Sequence, residues 1–419
     1  MKQNALLVGV NLKNQKDFAN SMEELFNLAD SCDIDVVGKV TQKLNRVNKS
    51  HYLGKGKVTE LLILLHEKNT NMVIFNDELS PSQVRNLEAT LKCRVIDRTI
   101  LILDIFALRA KTREAQLQVE VTKLQYMLPR LIGFGESSGQ KGSGESNKNS
   151  GSGETKQELN RRKIENRVIG LNQELETLVS QRQNQRKKRK KMEIPVIALV
   201  GYTNAGKSSI MNAMMNLFNG SIDKQVFEKD MLFATLETSV RSIKFPDNKS
   251  FLLTDTVGFI SKLPHQLVKA FRSTLEEVSE ADLLIHVVDY SNPYYKQQVE
   301  VTTDTLKELG VNNIPVIYAY NKTDLIDNED SKEEEKEDVC VYISAKEKVG
   351  IDKLVNAIYQ KVFTKYINCD MLIPYGKENI ISYLHDNANV KSTIYEGNGI
   401  LISMQCKRVD YERYKKYAN

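Results

Sequence analysis

Hydrophobic positions follow three successive spacings along the chain, which has 419 residues. In the first stretch, residues 1–99, short apolar runs alternate with segments of helical spacing. The apolar runs lie at residues 5–10, 36–44, 72–75 and 94–96, and the helical segments at about 15–30, 56–68 and 81–91. Strands that alternate with helices indicate βαβ units and a mostly parallel sheet. We therefore predict a small N-terminal parallel α/β domain over residues 1–99.

The second stretch, residues 100–192, has the heptad spacing of long helices. We predict one helix over about 101–130 and another over about 155–191. Their apolar seams are Leu117, Val121, Leu124 and Leu128 in the first and Ile164, Val168, Leu171, Leu175 and Leu178 in the second. Two such seams joined by a loop are typical of a long antiparallel coiled-coil hairpin. Helices of about 30 residues make a rod of roughly 45 Å, with a Gly/Ser-rich loop, residues 133–153, at its tip.

The third stretch returns to alternating strands and helices, from the apolar run 194–200 to about residue 363. We predict an α/β domain with a mixed, mostly parallel sheet over residues 193–368. The remaining residues, 369–419, contain a strand signal near 371–373, a helical segment near 378–385 and a hairpin turn at 396–399. About 50 residues are marginal for an independent fold. We therefore expect a small α+β tail domain that packs on the preceding one.

A phosphate-binding loop opens the third stretch. Residues 201–208 fit the pattern GxxxxGK[ST] directly after a buried strand and before a helical run. Glycines let backbone amides wrap around phosphates, and the helix N-terminus adds the positive end of its dipole. Lys207 is predicted to bridge the β- and γ-phosphates and Ser208 to be a Mg²⁺ ligand. The predicted nucleotide contacts of this loop are Gly201, Tyr202, Thr203, Asn204, Ala205, Gly206, Lys207, Ser208 and Ser209.

Two switch segments follow the loop. Asp255 and Gly258 form an Asp-x-x-Gly motif, in which Asp255 is expected to hold Mg²⁺ through water and the Gly258 amide to face the γ-phosphate. Between the loop and this motif lie Phe233, Ala234 and Thr235, predicted nucleotide contacts of switch I. The Thr235 hydroxyl is expected to complete the Mg²⁺ ligands when GTP is bound, and Thr238 is the weaker candidate for that role.

Phe259 stands where many GTPases carry the glutamine that orients the attacking water. A phenylalanine ring cannot make that hydrogen bond. We therefore expect slow intrinsic hydrolysis, with the water positioned by a partner, a bound cation or another residue. Lys207, Thr235, Gly258 and Phe259 are the predicted catalytic positions.

Guanine recognition is predicted at two further strand ends. Asp324 closes an Asn-Lys-x-Asp motif, and its carboxylate can accept hydrogen bonds from N1–H and the 2-amino group of guanine. Adenine lacks both donors, so a buried carboxylate there would reject ATP. A Ser-Ala-Lys motif supplies a base contact through the Ala345 amide. The predicted base contacts are Asn321, Lys322, Asp324, Ser344, Ala345 and Lys346.

Charge and cysteine content narrow the class of protein. The whole chain carries +5, yet residues 155–191 hold twelve Lys or Arg against four Glu, a local net charge of +8. Such a concentration indicates a polyanionic partner; the alternative is a regulatory GTPase whose coiled coil binds a protein. The five cysteines are widely spaced and include no CxxC pair. That spacing favours reduced thiols in a cytoplasmic protein, and no apolar run approaches the length of a membrane span.

The motifs together resemble those of the HflX family, ribosome-associated P-loop GTPases of the ribosome-splitting type. The matching segments are residues 52–57, 75–83, 97–106, 110–118, 126–131, 233–236 and 255–260. The chain departs from the family in the tip loop, which is longer, rich in Ser and Asn, and has Ser152 in place of a proline. A short Gly-Lys-Gly-Lys run at 54–57 is read as a helix-opening turn, with an ATP phosphate site as the alternative.

The resemblance implies a GTPase stimulated by the ribosome, with Mg²⁺ as cofactor and GTP and GDP as substrate and product. It implies binding to the large ribosomal subunit and its RNA, with the hairpin tip near the peptidyl-transferase centre, and splitting of stalled or idle ribosomes under stress. We expect a cytoplasmic monomer that binds no DNA and does not insert stably into membranes, with peripheral membrane association as an open alternative.

Overall fold

A computed structural model describes residues 3–13, 17–132, 156–191, 194–218, 232–233, 239–264, 267, 277–326 and 339–418. The tip loop 133–153, Ala234, Thr235 and Thr238 lie outside these residues, as does the acidic segment 328–338. The chain forms two compact units. The first contains the described residues within Met1–Arg186, Lys229–Glu237 and Ile260–Ser273, and the second those within Lys187–Glu228, Thr238–Phe259 and Thr274–Asn419.

The first unit begins with the predicted parallel sheet. Its four strands, in the order β2-β1-β3-β4, are β1 (Gln3–Leu12), β2 (Ile34–Leu44), β3 (Met72–Phe75) and β4 (Arg94–Asp97). The connecting helices are α1 (Phe18–Ser31), α2 (Lys55–Glu67) and α3 (Pro81–Leu91). A Ser80–Gln83 capping box and Pro81 in the first turn set the start of α3, as such residues do at helix N-termini. Gly54 is the N-cap of α2, which agrees with a helix-opening turn.

The predicted helix over 101–130 was wrong in one respect, because the structure has two helices there. They are α4 (Arg98–Arg109) and α5 (Arg113–Ile132). Ala110 leaves the helix in an extended conformation, and the Thr112 hydroxyl accepts a hydrogen bond from the Ala115 amide at 3.3 Å to begin the next helix. α4 is buried around most of its circumference, and its N-cap Asp97 side chain accepts from the Ile100 amide at 3.0 Å.

α5 pairs with the long helix α6 (Lys156–Lys191), which confirms the hairpin seam. Arg113 pairs with Glu174 at 2.7 Å and Arg167 with Glu120 at 3.0 Å, so residue numbers rise along one helix as they fall along the other. The helices are therefore antiparallel. The predicted seam residues that pack together are Leu117, Val121, Leu124, Val168, Leu171, Leu175 and Leu178.

Buried Asp97 ties α5 to the N-terminal sheet. Its carboxylate accepts hydrogen bonds from the Tyr126 hydroxyl at 2.7 Å and from Arg130 at 2.6 Å. Asp97 is fully buried and Arg130 nearly so. A buried ion pair with additional hydrogen bonds fixes geometry, since each charge needs its partner away from water. Burial, with Asp97 adding a smaller effect, raises the pKa of Tyr126 far above its ordinary value, so Tyr126 stays a neutral donor.

The second unit contains a six-stranded sheet in the order β10-β9-β8-β5-β7-β6, parallel except for β6. Its strands are β5 (Val196–Gly201), β6 (Ser239–Lys244), β7 (Ser250–Asp255), β8 (Leu283–Asp289), β9 (Val316–Asn321) and β10 (Val339–Tyr342). The described helices that accompany it are α7 (Lys207–Phe218), α8 (Tyr295–Glu308) and α9 (Ile351–Val362). The carboxyl ends of parallel strands, where ligands bind in such sheets, carry every predicted motif that the structure describes in this unit.

The C-terminal part of this unit is a three-stranded antiparallel sheet, as the tail pattern predicts. It comprises β11 (Ile367–Ile373), β12 (Asn389–Glu396) and β13 (Gly399–Cys406), with α10 (Glu378–Asn387) and α11 (Arg408–Tyr414). Buried Lys249, in the turn between β6 and β7, donates to the Gln405 side-chain oxygen at 2.8 Å, and Asn248 donates to the His385 carbonyl at 2.7 Å. These bonds confirm that the tail packs on the preceding domain. None of the described helices is both long and apolar enough to cross a membrane.

Candidate nucleotide-binding site

The phosphate-binding loop connects β5 to α7 and requires glycine at both ends. Gly201 has φ +147° and Gly206 φ +95°, values that L-residues with side chains rarely adopt. A Cβ at Gly201 would lie 2.2 Å from the Val287 carbonyl oxygen, and one at Gly206 would lie 2.1 Å from Asn321 Nδ2. The two glycines therefore allow the loop to run directly against the neighbouring strand ends.

Lys207 is buried inside this loop. Its ammonium donates to the Gly201 carbonyl at 3.1 Å and to the Tyr202 carbonyl at 2.8 Å. Burial lowers the pKa of Lys207 to about 8, and nearby Asp255 opposes that shift. Loss of hydration disfavours the charged form, so the negative charge of an incoming phosphate would add to that of Asp255 and stabilise the ammonium.

Ser208 and Asp255 come together from the start of α7 and the end of β7. The Ser208 hydroxyl donates to Asp255 Oδ2 at 2.6 Å, and Asp255 is fully buried. The Thr256 hydroxyl donates to the Leu199 carbonyl at 2.6 Å and holds the strand end against β5. A hydroxyl and a carboxylate are hard oxygen donors of the kind that Mg²⁺ takes in nucleotide sites. The donor set fits the magnesium site that the sequence predicts.

The Asp-x-x-Gly segment lies against the phosphate-binding loop. The Thr203 amide donates to the Phe259 carbonyl at 2.7 Å, and the Phe259 amide donates to the Gly201 carbonyl at 3.1 Å. A Cβ at Gly258 would lie 2.6 Å from Thr203 Cα and 3.0 Å from Lys207 Nζ. The Phe259 side chain is 2% exposed, so its position is set by packing and by backbone bonds.

The two guanine motifs meet through Asn321. Its amide nitrogen donates to the Ala205 carbonyl at 2.9 Å, and its amide oxygen accepts from the Ala345 amide at 3.0 Å. The Ser344 hydroxyl donates to Asp324 Oδ1 at 2.6 Å and so orients that carboxylate. Residues distant in sequence thus form one connected cluster beside the phosphate-binding loop, where the sequence predicts the base contacts. Lys346 is exposed.

Switch I is described only at Leu232 and Phe233 among residues 219–238. Phe233 belongs to the first unit, where its ring meets that of Phe106 edge-on at 4.7 Å and is 1% exposed. The roles of Ala234 and Thr235 stay predictions, since both residues lie outside the described part of the chain. Phe233 packs as a core residue of the first unit.

Ser261 also belongs to the first unit, although it follows the Asp-x-x-Gly motif closely in sequence. Arg98 donates to the Ser261 carbonyl at 3.2 Å and to its hydroxyl oxygen at 3.3 Å. The buried Arg98 guanidinium also forms an ion pair with partly buried Glu24, which in turn accepts a hydrogen bond from the Ser261 hydroxyl. Sequence analysis missed this cluster because its members lie up to 237 residues apart and match no motif.

Family models match most of the chain in order. Those described as GTP-binding GTPase N-terminal, GTP-binding GTPase Middle Region and 50S ribosome-binding GTPase match residues 19–107, 109–189 and 196–322. A fourth, the C-terminal region of the MMR_HSR1 domain, matches residues 294–363. GTPase HflX of Caldanaerobacter subterraneus subsp. tengcongensis is 41% identical over 99% of this chain and 94% of its own. The chain belongs to the HflX family of GTPases. It is accordingly a GTP-binding P-loop GTPase.

Two further HflX relatives agree with that assignment. GTPase HflX of Escherichia coli K12 is 34% identical over 99% of this chain and 96% of its own length. GTPase HflX of Alkalihalophilus pseudofirmus is 45% identical over 77% of this chain and 74% of its own. Among solved structures, a GTP-binding protein from Sulfolobus solfataricus in complex with GDP aligns over 86% of this HflX-family chain and 99% of its own, at 26% identity and a TM-score of 0.44.

Proposed function

We propose that this GTPase uses Mg²⁺ and GTP to control engagement of its helical hairpin with the large ribosomal subunit, and so dissociates stalled or idle ribosomes in the cytoplasm. The observation that carries the proposal is that one chain combines the ordered guanine-nucleotide motifs with an antiparallel helical hairpin, and that residues 155–191 carry a net charge of +8. The family model over residues 196–322, described as a 50S ribosome-binding GTPase, supports this choice of partner.

In the proposed site each residue has one role. Lys207 neutralises the β- and γ-phosphates, the Gly258 amide donates to the γ-phosphate, and Asp324 accepts from the guanine edge. Ser208, Thr235 and, through water, Asp255 would hold Mg²⁺, which would supply charge neutralisation at the phosphates. The 2.6 Å contact of Ser208 with Asp255 supports that donor set. The remaining amides of residues 201–209 enclose the phosphates.

Phe259 is the reason why the proposed GTP hydrolysis depends on a partner. The side chain is apolar and buried, so it provides no hydrogen bond for the attacking water. Backbone hydrogen bonds join Phe259 to Gly201 and Thr203 and so connect the Asp-x-x-Gly segment to the phosphate-binding loop. A shift of one of these segments would therefore displace the other. We infer slow turnover in the free protein and faster turnover when the ribosome completes the site.

RNA is the favoured partner of the hairpin because the second helix of the hairpin is strongly basic. Arg161, Arg162, Lys163 and Arg167 are exposed on α6, where phosphates could reach them. Arg167 pairs with Glu120 and Arg161 with Glu165 at exposed positions, and such surface pairs are weak enough to exchange for phosphate contacts. The tip loop, for which the family resemblance implies a place near the peptidyl-transferase centre, lies outside the described residues.

A pelleting assay with purified large subunits tests this proposal. Protein bound to a non-hydrolysable GTP analogue should pellet with the subunits. If about six or more phosphates are contacted, affinity should fall roughly 10³-fold or more between 50 and 200 mM salt. Replacing Arg162 and Lys163 with Glu should weaken pelleting. The matched control replaces Lys353 and Lys361, exposed on α9, with Glu and should change it little.

Three results would count against the proposal. Absence of pelleting that depends on the GTP analogue would favour a regulatory GTPase whose coiled coil binds a protein. Binding that is insensitive to salt would remove RNA phosphates as the main contact. An equal loss of pelleting in the hairpin variant and the α9 variant would show that the total charge of the protein, and not the hairpin, drives binding.

A further inference from the structure

The end of β8 contacts the guanine motif through a residue that no motif includes. Asp289 is the last residue of β8 and the lateral neighbour of Asn321, the last residue of β9, in the parallel register. Asp289 Oδ2 accepts a hydrogen bond from Lys322 Nζ at 2.7 Å. The two side chains are 16% and 25% exposed, so this ion pair is largely screened from water.

Asp289 is itself held in place. Its second oxygen, Oδ1, accepts from the Ser291 hydroxyl at 2.6 Å and from the Ser291 amide at 3.2 Å. The next residue, Tyr290, donates its amide to the Asn321 carbonyl at 2.9 Å. The carboxylate therefore presents a fixed acceptor to Lys322, since both of its oxygens and the adjoining backbone are engaged.

Lys322 is consequently fixed at both ends of its side chain. Its backbone is left-handed, with φ +66°, between β9 and the short 3₁₀ turn Thr323–Leu325. Its ammonium is bonded to Asp289. A free lysine side chain samples many rotamers, and ordering it on ligand binding costs entropy. With Asp289 present, that ordering is complete before the nucleotide arrives, which is the basis of preorganised binding.

We propose that Asp289 is a positioning residue that tethers Lys322, so that the methylene stem of Lys322 forms a fixed apolar wall for the guanine ring. This inference rests on the proposed guanine site. The tether also separates the roles of Lys207 and Lys322. Lys207 lies in the phosphate loop, bonded to loop carbonyls, whereas the Lys322 charge is already matched by Asp289. Asp289 therefore acts on affinity for the base and leaves the phosphate chemistry alone.

Nucleotide titration of variants tests the tether. Asp289→Ala should raise the Kd for fluorescent GDP about fivefold to tenfold, the scale of one ordered side chain. Because the tether acts on the ring face, the same factor should apply to GTP and to inosine diphosphate, which lacks the 2-amino group. In steady-state turnover, KM should rise while kcat changes less than about twofold. Asp289→Asn, which keeps an acceptor for the lysine, should restore much of the affinity.

A double-mutant cycle separates positioning from structural damage. Lys322→Met keeps an apolar stem and removes the ammonium, so Asp289→Ala should add little further loss in that background. The matched control Asp304→Ala removes the acidic partner of Lys307 in an exposed pair on α8 and should leave Kd unchanged.

The outcomes are distinguishable. Full additivity, or an Asp289→Ala protein with unchanged Kd and KM, would overturn the tether while the guanine site stands. A loss in kcat as large as the rise in KM, together with a lowered melting temperature in both Asp289 variants, would show a structural role. That result would also overturn the tether. Failure of the unaltered protein to bind fluorescent GDP would instead refute the guanine site itself.

Discussion

The depressed pKa of Lys207 predicts how GDP affinity depends on pH. In the nucleotide-free protein, burial lowers this pKa to about 8. A bound diphosphate stabilises the ammonium form and raises the pKa again, so binding takes up a proton once the pH exceeds 8. At pH 9 a group of pKa 8 is about nine-tenths deprotonated. Affinity should therefore fall about tenfold, or about 1.4 kcal/mol, relative to pH 7.

The direction in which Kd changes with pH follows from the number of protons bound in the free and the nucleotide-bound protein. Below pH 8 both free and bound forms carry the proton, so Kd is flat; above it only the bound form does, so Kd rises with pH. The assay is calorimetric or fluorescence titration with GDP from pH 7 to 9. The control variant Lys207→Arg stays charged throughout this range, so any dependence it retains belongs to the guanine base.

A flat Kd in the unaltered protein between pH 7 and 9 would refute this reasoning. So would an equal slope in the Lys207→Arg variant, because the effect would then arise outside Lys207. Folding stability of the free protein provides a second check: since the unfolded lysine binds a proton that the folded one lacks between pH 8 and 10.5, stability should rise with pH in that window.

Three further predictions concern other parts of the molecule. Asp324→Asn should shift preference from guanine to xanthine nucleotides, since the amide donates where the carboxylate accepted; retained GTP selectivity in competition binding would contradict the base assignment. Arg98→Ala should destabilise the first unit by about 3–5 kcal/mol in urea unfolding because it leaves Glu24, whose side chain is only 10% exposed, without its ion-pair partner. Arg113→Ala, in an exposed pair with Glu174, should cost nothing measurable. Large ribosomal subunits should raise GTP turnover at least tenfold; equal kcat with and without them would remove the role assigned to Phe259.

Local patterns in the sequence were enough to predict the parallel sheets and the hairpin. Apolar runs such as 72–75 become fully buried strands, and Ser80 with Pro81 begins α3 as the residue types require. The break between α4 and α5 was missed because Ala110 and Thr112 are compatible with a helix. The break coincides with the end of α4, which is buried around most of its circumference, and such burial is a tertiary property that local residue types do not reveal.

The convergence of the described motif residues was predictable because the motifs follow strand ends in a fixed order. Parallel strands bring those ends to one edge, so Asp255, Asn321 and Ser344 converge without further information. Asp289 was overlooked although it also ends a strand, since no motif marks it. The Arg98 cluster could not be predicted from local sequence. A charged residue before an apolar run is typical of a helix start, and the partners of Arg98 are set by packing within the first unit.

Calorimetric titration of the protein with a non-hydrolysable GTP analogue and Mg²⁺ tests the central claim most directly. The account predicts saturable binding at one site, lost in Lys207→Ala, with no comparable binding of the matching ATP analogue. Absence of heat with the guanine nucleotide, or equal binding of both nucleotides, would contradict it.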